Sequence, residues 1–215
     1  IRDGFKPDQA FMLLMSTQLI NFHCLNHGNA IIQYTDLGKL LLYTSSRLVE
    51  KWARNVVTSS NGRPAKATFA CVKKALINSG DVSAFSSVNP YSGNSEWTRN
   101  IIHKRGHFFV VIDKMKALDD DEYAFTCRWR TYYPQTLDAD GVCHVDAGDG
   151  VSMRIIGTGQ NINHDSRQAK SDGATRPYMY IQRKNANLKK GDAVTFKNLI
   201  YASSPKRPDQ CEIKD

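Results

Sequence analysis

The sequence lacks two features that would assign it to a class directly. No apolar run approaches the roughly 18 to 20 residues of a membrane-spanning helix, and the run from Phe108 to Ile112 has the length of a buried strand. The five cysteines are widely spaced, odd in number and contain no Cys-x-x-Cys pair. This argues against a disulfide framework and against a cysteine zinc site. Cys71 and Cys127 lie in alternating segments, which predicts that they are small apolar core residues.

Acidic residues are fewer than basic ones: 21 Asp and Glu stand against 29 Lys and Arg, for a net charge of +8. A basic surface favours polyanionic partners, namely nucleic acid, an anionic membrane or an acidic polysaccharide. The basic residues are scattered along the chain. Composition therefore does not choose among these partners, and a solvated surface with a mild excess of lysine and arginine is an equally good interpretation.

Helical periodicity is almost absent, and only Ser45 to Asn55 carries a weak pattern for a short helix. The clearest segment of period two is Glu122 to Arg130, which predicts a half-buried antiparallel strand. Arg128 and Arg130 fall on its outer face, so that this face is basic. The residues of its predicted inner face are Tyr123, Phe125, Cys127 and Trp129.

Many further segments resemble strands separated by turn residues. The run Phe108 to Ile112 is apolar on both faces, and Asp119 to Asp121 follow it as a polar connector, so we expect a hairpin with the Glu122 strand. The other candidate strands are Phe11 to Met15, Ala30 to Tyr34, Lys39 to Tyr43, Ala67 to Lys73, Val82 to Ser86, Trp97 to His103, Val151 to Ile156, Met179 to Arg183 and Ala193 to Tyr201.

About a dozen strands with almost no helix predict an all-β, two-layer, mainly antiparallel β-sandwich. We expect residues 1–215 to form a single domain, because sandwiches of this length commonly remain whole. The polar, glycine-containing stretch 157–177 is predicted to be a long surface loop. The chain starts at Ile1 without a signal-peptide pattern, and we expect it to be a mature product or part of a longer chain.

The order of these segments resembles the C-terminal half of the heparinase II/III-like polysaccharide lyases. The resemblance covers most of residues 1 to 200, and no single motif carries it. The segments that carry it, in order, are Arg2 to Asp8 with Phe11 to Leu14, Asn29 to Tyr34, Gly38 to Leu42, Ser79 to Val82, Trp97 to Arg99, Gly106 to Asp113 and Tyr123 to Arg130.

The resemblance implies a supersandwich-like fold and a place beside a helical toroid domain that this sequence does not contain. Members of the family cleave uronic-acid polysaccharides such as glycosaminoglycans by β-elimination in the cleft between the two domains. The reaction needs a base for the proton beside the carboxylate and a group that stabilises the developing negative charge. The implied partners are an acidic polysaccharide and the toroid. The implied location is secreted or periplasmic, and this chain alone is expected to be inactive.

Members of the family that bind a metal carry a His-x-His motif, a later aspartate and a His-Asn pair. Alignment on Asn29 places His23 on the first histidine, but Leu25 falls on the second. The later positions fall near Tyr43 and Arg54. Zinc needs about three ligands from histidine, cysteine or carboxylate, and this set supplies one at most. We therefore expect no metal and no cofactor.

Six residues are candidate site residues. The resemblance implies a catalytic role for His23. A nucleophilic pair of His23 with Cys24 is disfavoured, because sequence neighbours rarely form such a pair. The arginine fork suits sulfate and carboxylate, and aromatic rings stack on sugars. The candidates for polysaccharide binding on this basis are Arg99, His103, Arg128, Arg130 and Tyr132. The alternative is that these five are ordinary exposed strand residues.

Three functions remain open at this stage. The first is the sandwich domain of a polysaccharide lyase that acts with a toroid. The second is a non-catalytic glycan-binding or structural module that has lost the metal site. The third is a basic domain that binds nucleic acid, which would need aromatic residues interleaved with a basic stripe. Only Arg128 to Tyr133 hints at such a stripe, and the family order of the segments makes the third function the least favoured. We expect no nucleic acid and no membrane as a partner.

Overall fold

The computed structural model describes residues 1–15, 28–44, 55–63, 66–67, 71–159, 162–168, 178–208 and 211. Sixteen strands lie in these ranges. They are β1 Phe11–Met15, β2 Ala30–Asp36, β3 Lys39–Tyr43, β4 Val57–Ser60, β5 Lys66–Ala67, β6 Val72–Ser79, β7 Val82–Gly93, β8 Ser95–Lys104, β9 Phe108–Ala117, β10 Asp121–Thr131, β11 Gln135–Leu137, β12 Cys143–Asp146, β13 Ser152–Thr158, β14 Asn163–Gln168, β15 Tyr178–Leu188 and β16 Ala193–Ser203. The described part of the chain contains no helix with the length and apolar character needed to cross a membrane.

The described strands form two antiparallel sheets that enclose one hydrophobic core, which confirms the predicted β-sandwich. The first sheet has the order β1-β2-β3-β10-β15-β14, and β4 also pairs with β10. The second has the order β11-β12-β13-β16-β9-β8-β7-β5, and β6 also pairs with β7. The sixteen strands exceed the expected dozen in part because β4, β11 and β12 have only four, three and four residues, too few to show a pattern.

The predicted hairpin between β9 and β10 is wrong. Strand β9 pairs with β8 and β16 in the second sheet, whereas β10 belongs to the first sheet. Both edges of β9 are occupied, so no edge remains for β10. The connector crosses between the sheets, where the Tyr123 hydroxyl accepts a hydrogen bond from the Asp119 amide at 3.3 Å and lies 3.2 Å from the Asn94 carbonyl.

The inner face of β10 is the one predicted from sequence. Tyr123, Phe125, Cys127 and Trp129 are each at most 1% exposed. They pack in the core that the second sheet also lines, and complete burial of each large side chain contributes about 1.5 to 3 kcal/mol. Cys71, by contrast, is only half-buried and does not join this core.

The predicted surface loop over 157–177 is interrupted by a strand. Residues 163–168 form β14 and pair with β15 along the edge of the first sheet. The strand could not be recognised from sequence because it has no apolar side chain and therefore shows no apolar–polar alternation. A strand at the edge of a sheet does not need apolar side chains. The predicted short helix falls almost entirely on residues 45–54, outside the described residues, and only Asn55 is described.

Candidate polyanion-binding face

Four arginines lie on the outer face of the first sheet. We call this set the basic face; its members are Arg128, Arg130, Arg167 and Arg183. Residues that pair across neighbouring antiparallel strands project from the same side of a sheet. The rows of paired residues on this side are Arg128–Ile181–Asp165, Arg130–Met179–Arg167 and Thr126–Arg183–Asn163. The arginines therefore come from three strands, β10, β15 and β14, and lie within two rows of one another.

Two apolar side chains lie among these arginines. Met179 and Ile181 are each 1% exposed and form a small hydrophobic cluster separate from the main core. Each is paired with an arginine of β10. Arginine stems pack well on apolar surface while their guanidinium groups remain available for polar contacts. Met179 and Ile181 thus provide an apolar surface against which the arginine stems can pack, with their guanidinium groups close together.

Arg128 is largely buried and lies close to two other arginines of the basic face. Burial, together with repulsion from Arg167 and Arg183, lowers the pKa of its guanidinium to about 10. Its Nη1 donates to the Thr58 hydroxyl at 2.7 Å, while its buried Nε has no hydrogen-bond partner among the described residues. An anion placed beside this group would relieve the repulsion and offset the cost of burial.

Among the described residues, Asp165 brings a carboxylate into direct contact with the basic face. Nη1 of Arg183 lies 3.0 Å from an oxygen of Asp165, and both side chains are 40% exposed. An exposed pair of this kind contributes little to stability, about 0 to 1 kcal/mol. In the described part of the chain, the basic face thus combines four arginines with the Asp165 carboxylate, a concentration of cationic groups suited to an anionic polymer.

A tyrosine cluster borders the basic face. It consists of Tyr43, Tyr132 and Tyr133, whose rings meet edge to face with centroids 6.5 Å apart for the first two and 5.2 Å apart for the last two. The guanidinium of Arg130 lies 5.8 Å from the centroid of the Tyr43 ring. Tyr132 is 50% exposed, so one aromatic ring is open to a planar or sugar-like ligand next to a cation.

Arg99 and His103 do not belong to this surface, and the expectation that they are exposed is wrong. They share a face of β8 with Trp97 and Ile101, as predicted, but that face points into the core. Arg99 is 0% exposed and pairs with Asp113 at 2.7 Å. His103 stacks on Phe109 with 4.1 Å between ring centroids. Alternation alone does not indicate which face is inner when charged residues occupy it.

The other predicted site residues are divided between the basic face and undescribed segments. Arg128 and Arg130 lie on the basic face, and Tyr132 lies at its border. His23, and with it Leu25 and Arg54 of the metal motif, lie outside the described residues. Among the residues that are described, no group of three histidine, cysteine or acidic side chains could hold a metal ion.

Sequence reasoning missed Arg167, Arg183 and Tyr43. Arg183 lies in a predicted strand, but nothing local in the sequence indicates that it pairs with Thr126 or approaches Arg128. Arg167 lies in the stretch predicted to be a surface loop. The sequence does show arginines on three segments that each have a polar face. Only the pairing register of the three strands reveals that these arginines lie side by side.

The fold resembles solved heparinase structures. It matches a mutant of the heparan sulfate lyase HepC from Pedobacter heparinus with a TM-score of 0.77 and 13% identity, over 95% of this chain and 35% of that chain. It matches a heparinase III structure with a TM-score of 0.73 and 15% identity, over 94% of this chain and 35% of that chain. The chain thus spans about a third of their length, and the resemblance to their β-sandwich portion is confirmed at the level of the fold.

One further match has a different extent. The Slr1438 protein from Synechocystis sp. PCC 6803 matches with a TM-score of 0.56 and 8% identity, over 94% of this chain and 98% of that chain. In that protein the shared fold makes up nearly the whole chain. No family model matches the sequence, and no curated protein matches it.

Proposed function

We propose that this chain is the β-sandwich domain of a heparinase-like polysaccharide lyase and helps to bind an acidic, uronic-acid-containing polysaccharide for eliminative cleavage. The helical toroid that completes such an enzyme would belong to the same full-length protein. The observation that carries the proposal is the basic face with its tyrosine border, on a fold shared with heparan sulfate lyase.

The chemistry of the face suits carboxylate and sulfate groups. Guanidinium forks bind such anions through two parallel hydrogen bonds, and several forks on one sheet can contact successive groups along a chain. Arg167 is exposed and the side chain of Arg183 is 40% exposed, so both can reach a ligand. Tyr132 adds a ring against which a sugar can pack.

The requirements of the elimination reaction indicate which groups the sandwich and the toroid would each supply. A base must reach the proton next to the carboxylate, and a second group must stabilise the extra charge. The basic face supplies cations that bind and orient the polymer. His23 is the candidate in this chain for contact with the reacting sugar, and the toroid would provide the remaining groups.

The experiment is a titration of the purified chain with heparan sulfate, alginate and neutral dextran by isothermal calorimetry. We expect weak, salt-sensitive binding to the two acidic polymers and none to dextran, because exposed charge contacts are screened beyond about 8 Å at physiological ionic strength. The triple variant Arg130→Ala/Arg167→Ala/Arg183→Ala should weaken binding by about tenfold or more, which corresponds to ~1.4 kcal/mol.

The matched control removes the same charge from the opposite side of the molecule. Lys114, Lys116 and Lys197 are exposed on the outer face of the second sheet. The triple variant Lys114→Ala/Lys116→Ala/Lys197→Ala should bind heparan sulfate nearly as well as the unchanged chain. Equal losses in the two triple variants would mean that net charge alone attracts the polymer, and the basic face would have no specific role.

The second candidate function is a glycan-binding or structural module without catalytic activity. The match with Slr1438 favours this second function. It covers 98% of the Slr1438 chain, so in that structure the shared fold occurs without a second large domain. The reading frame of the full-length gene distinguishes the two functions. An encoded helical domain of several hundred residues supports the lyase, and its absence supports the module.

A further inference from the structure

Strand β10 changes its neighbour beside the basic face. Along one edge it pairs with β4 over residues 124–127 and then with β3 at Thr131. The Arg128 amide still bonds to the Val56 carbonyl at 2.9 Å, and the Tyr132 amide bonds to the Leu41 carbonyl at 3.0 Å. Between these two contacts the edge of β10 would have a gap at Arg130.

The side chain of Asn55 fills this gap. Its Oδ1 accepts a hydrogen bond from the Arg130 amide, in place of the missing strand carbonyl. Its Nδ2 donates to the Ile31 carbonyl at 3.0 Å and lies 3.3 Å from the Thr44 hydroxyl. Asn55 is 0% exposed, and it ties β2, the end of β3 and β10 together at one point.

Asn55 is itself held from the opposite sheet. Nη1 of Arg99 donates to the Asn55 carbonyl at 3.1 Å and to the Asn29 carbonyl at 2.7 Å. The remaining donors of Arg99 face Asp113, with Nε at 2.7 Å and Nη2 at 2.9 Å from its two oxygens. The indole nitrogen of Trp97 also donates to Asp113 at 2.7 Å.

A continuous polar path therefore crosses the interior of the sandwich. It runs from Asp113 through Arg99 and Asn55 to the backbone of Arg130. At its end, the Arg130 guanidinium lies over the Tyr43 ring, which is the point where the basic face meets the tyrosine cluster. Tyr43 ends β3 and Arg130 lies on β10, so the junction between these strands sets their separation.

We propose that Arg99, oriented by Asp113, is a positioning residue for polysaccharide binding: through Asn55 it fixes Arg130 against Tyr43. The inference rests on the proposed function and assigns Arg99 a role different from direct contact with the polymer. Binding sites need their contact groups held within about half an ångström, and a buried arginine with four hydrogen bonds to three residues is suited to hold them. An ion pair in this position is poor at adding stability but effective at fixing geometry.

The test compares affinity with stability in two kinds of variant. Arg99→Met/Asp113→Asn removes the path without leaving a lone buried charge and keeps an acceptor for Trp97. We expect its affinity for a heparin octasaccharide to fall about tenfold. Ile155→Ala serves as the control: this buried residue of β13 takes no part in the polar path, so its loss should lower the midpoint of thermal unfolding while leaving the path intact.

The conservative variant Arg99→Lys provides the second measurement. Lysine keeps the charge and one donor, so we expect a loss of about threefold, between those of the unchanged chain and the double variant. If the double variant does not fold, the affinity of Arg99→Lys alone tests the inference. Unchanged affinity in a folded Arg99→Met/Asp113→Asn or Arg99→Lys protein overturns the inference, as does an equal loss in Ile155→Ala. A failure of the unchanged chain to bind the octasaccharide would instead count against the proposed function.

Discussion

Arg99 and Asp113 form a two-point ion pair in the interior, with nitrogen–oxygen distances of 2.7 and 2.9 Å and neither side chain exposed. The pair joins neighbouring strands β8 and β9 and reaches across to the other sheet through Asn29 and Asn55. The sequence predicts that this face of β8 is a ligand-binding surface, but in the structure it is buried and its polar groups lie at the centre of the core.

The first prediction concerns this pair. Asp113→Ala should lower the free energy of unfolding by about 3 to 5 kcal/mol, because it leaves the buried guanidinium without its countercharge. Urea denaturation measures the change. Arg99→Met/Asp113→Leu should destabilise the protein less than Asp113→Ala, since neither charge then remains. A larger loss in the double variant would show that the carbonyl contacts of Arg99 outweigh the ion pair.

The second prediction concerns the inner face of β10. Trp129 is 0% exposed, and Trp129→Ala should lower the free energy of unfolding by about 3 to 5 kcal/mol, as large aromatic deletions in cores do. Glu122→Ala, on the exposed face of the same strand, is the control and should stay within about 0.5 kcal/mol. Similar small changes in both variants would contradict the burial of Trp129.

The third prediction concerns Gly157, which faces the core opposite β15. An added Cβ would stand 1.8 Å from Nε2 of Gln182 and 2.8 Å from the Tyr180 hydroxyl oxygen. Gly157→Ala should therefore cost about 1 to 3 kcal/mol through overpacking. The cost should shrink in a Gln182→Ala background, because the nearest obstacle is gone. Additive losses in a double-mutant cycle would rule out the steric explanation.

The fourth prediction concerns pH. Burial lowers the pKa of His164, whose Nδ1 lies 2.6 Å from the Tyr180 hydroxyl. The folded state therefore disfavours protonation, so this contribution to stability is complete above the unfolded-state pKa of about 6.5 and declines as the pH falls below it. Thermal unfolding between pH 5 and 8 measures the slope. His164→Gln should flatten it, whereas His107→Gln, at an exposed position, should leave it unchanged.

The fifth prediction is that the 215-residue chain alone does not cleave acidic polysaccharide at a useful rate. The proposed function assigns several catalytic groups to a toroid, and without their positioning the chain would lose most of the roughly 7 to 11 kcal/mol that proximity and orientation supply. Ultraviolet absorbance of the unsaturated product follows the reaction with heparan sulfate or alginate. Rapid turnover that disappears in His23→Ala would make this chain an enzyme without the toroid.

The sequence by itself determined the local features of this protein. Alternation identified most of the long strands and assigned Tyr123, Phe125, Cys127 and Trp129 to one inner face, because a strand's side chains alternate regardless of its neighbours. It also selected Arg128, Arg130 and Tyr132 on the opposite side. The order of segments was enough to indicate the heparinase-like sandwich.

Only the tertiary structure decided which strands pair. It separated β9 from β10, because both edges of β9 were taken by strands distant in sequence. Pairing between distant strands also brought Arg167 and Arg183 beside Arg128, and it buried Arg99 against Asp113, fourteen residues along the chain. An arginine looks the same in a sequence whether it faces water or a carboxylate, and only the neighbouring strand determines which environment it has.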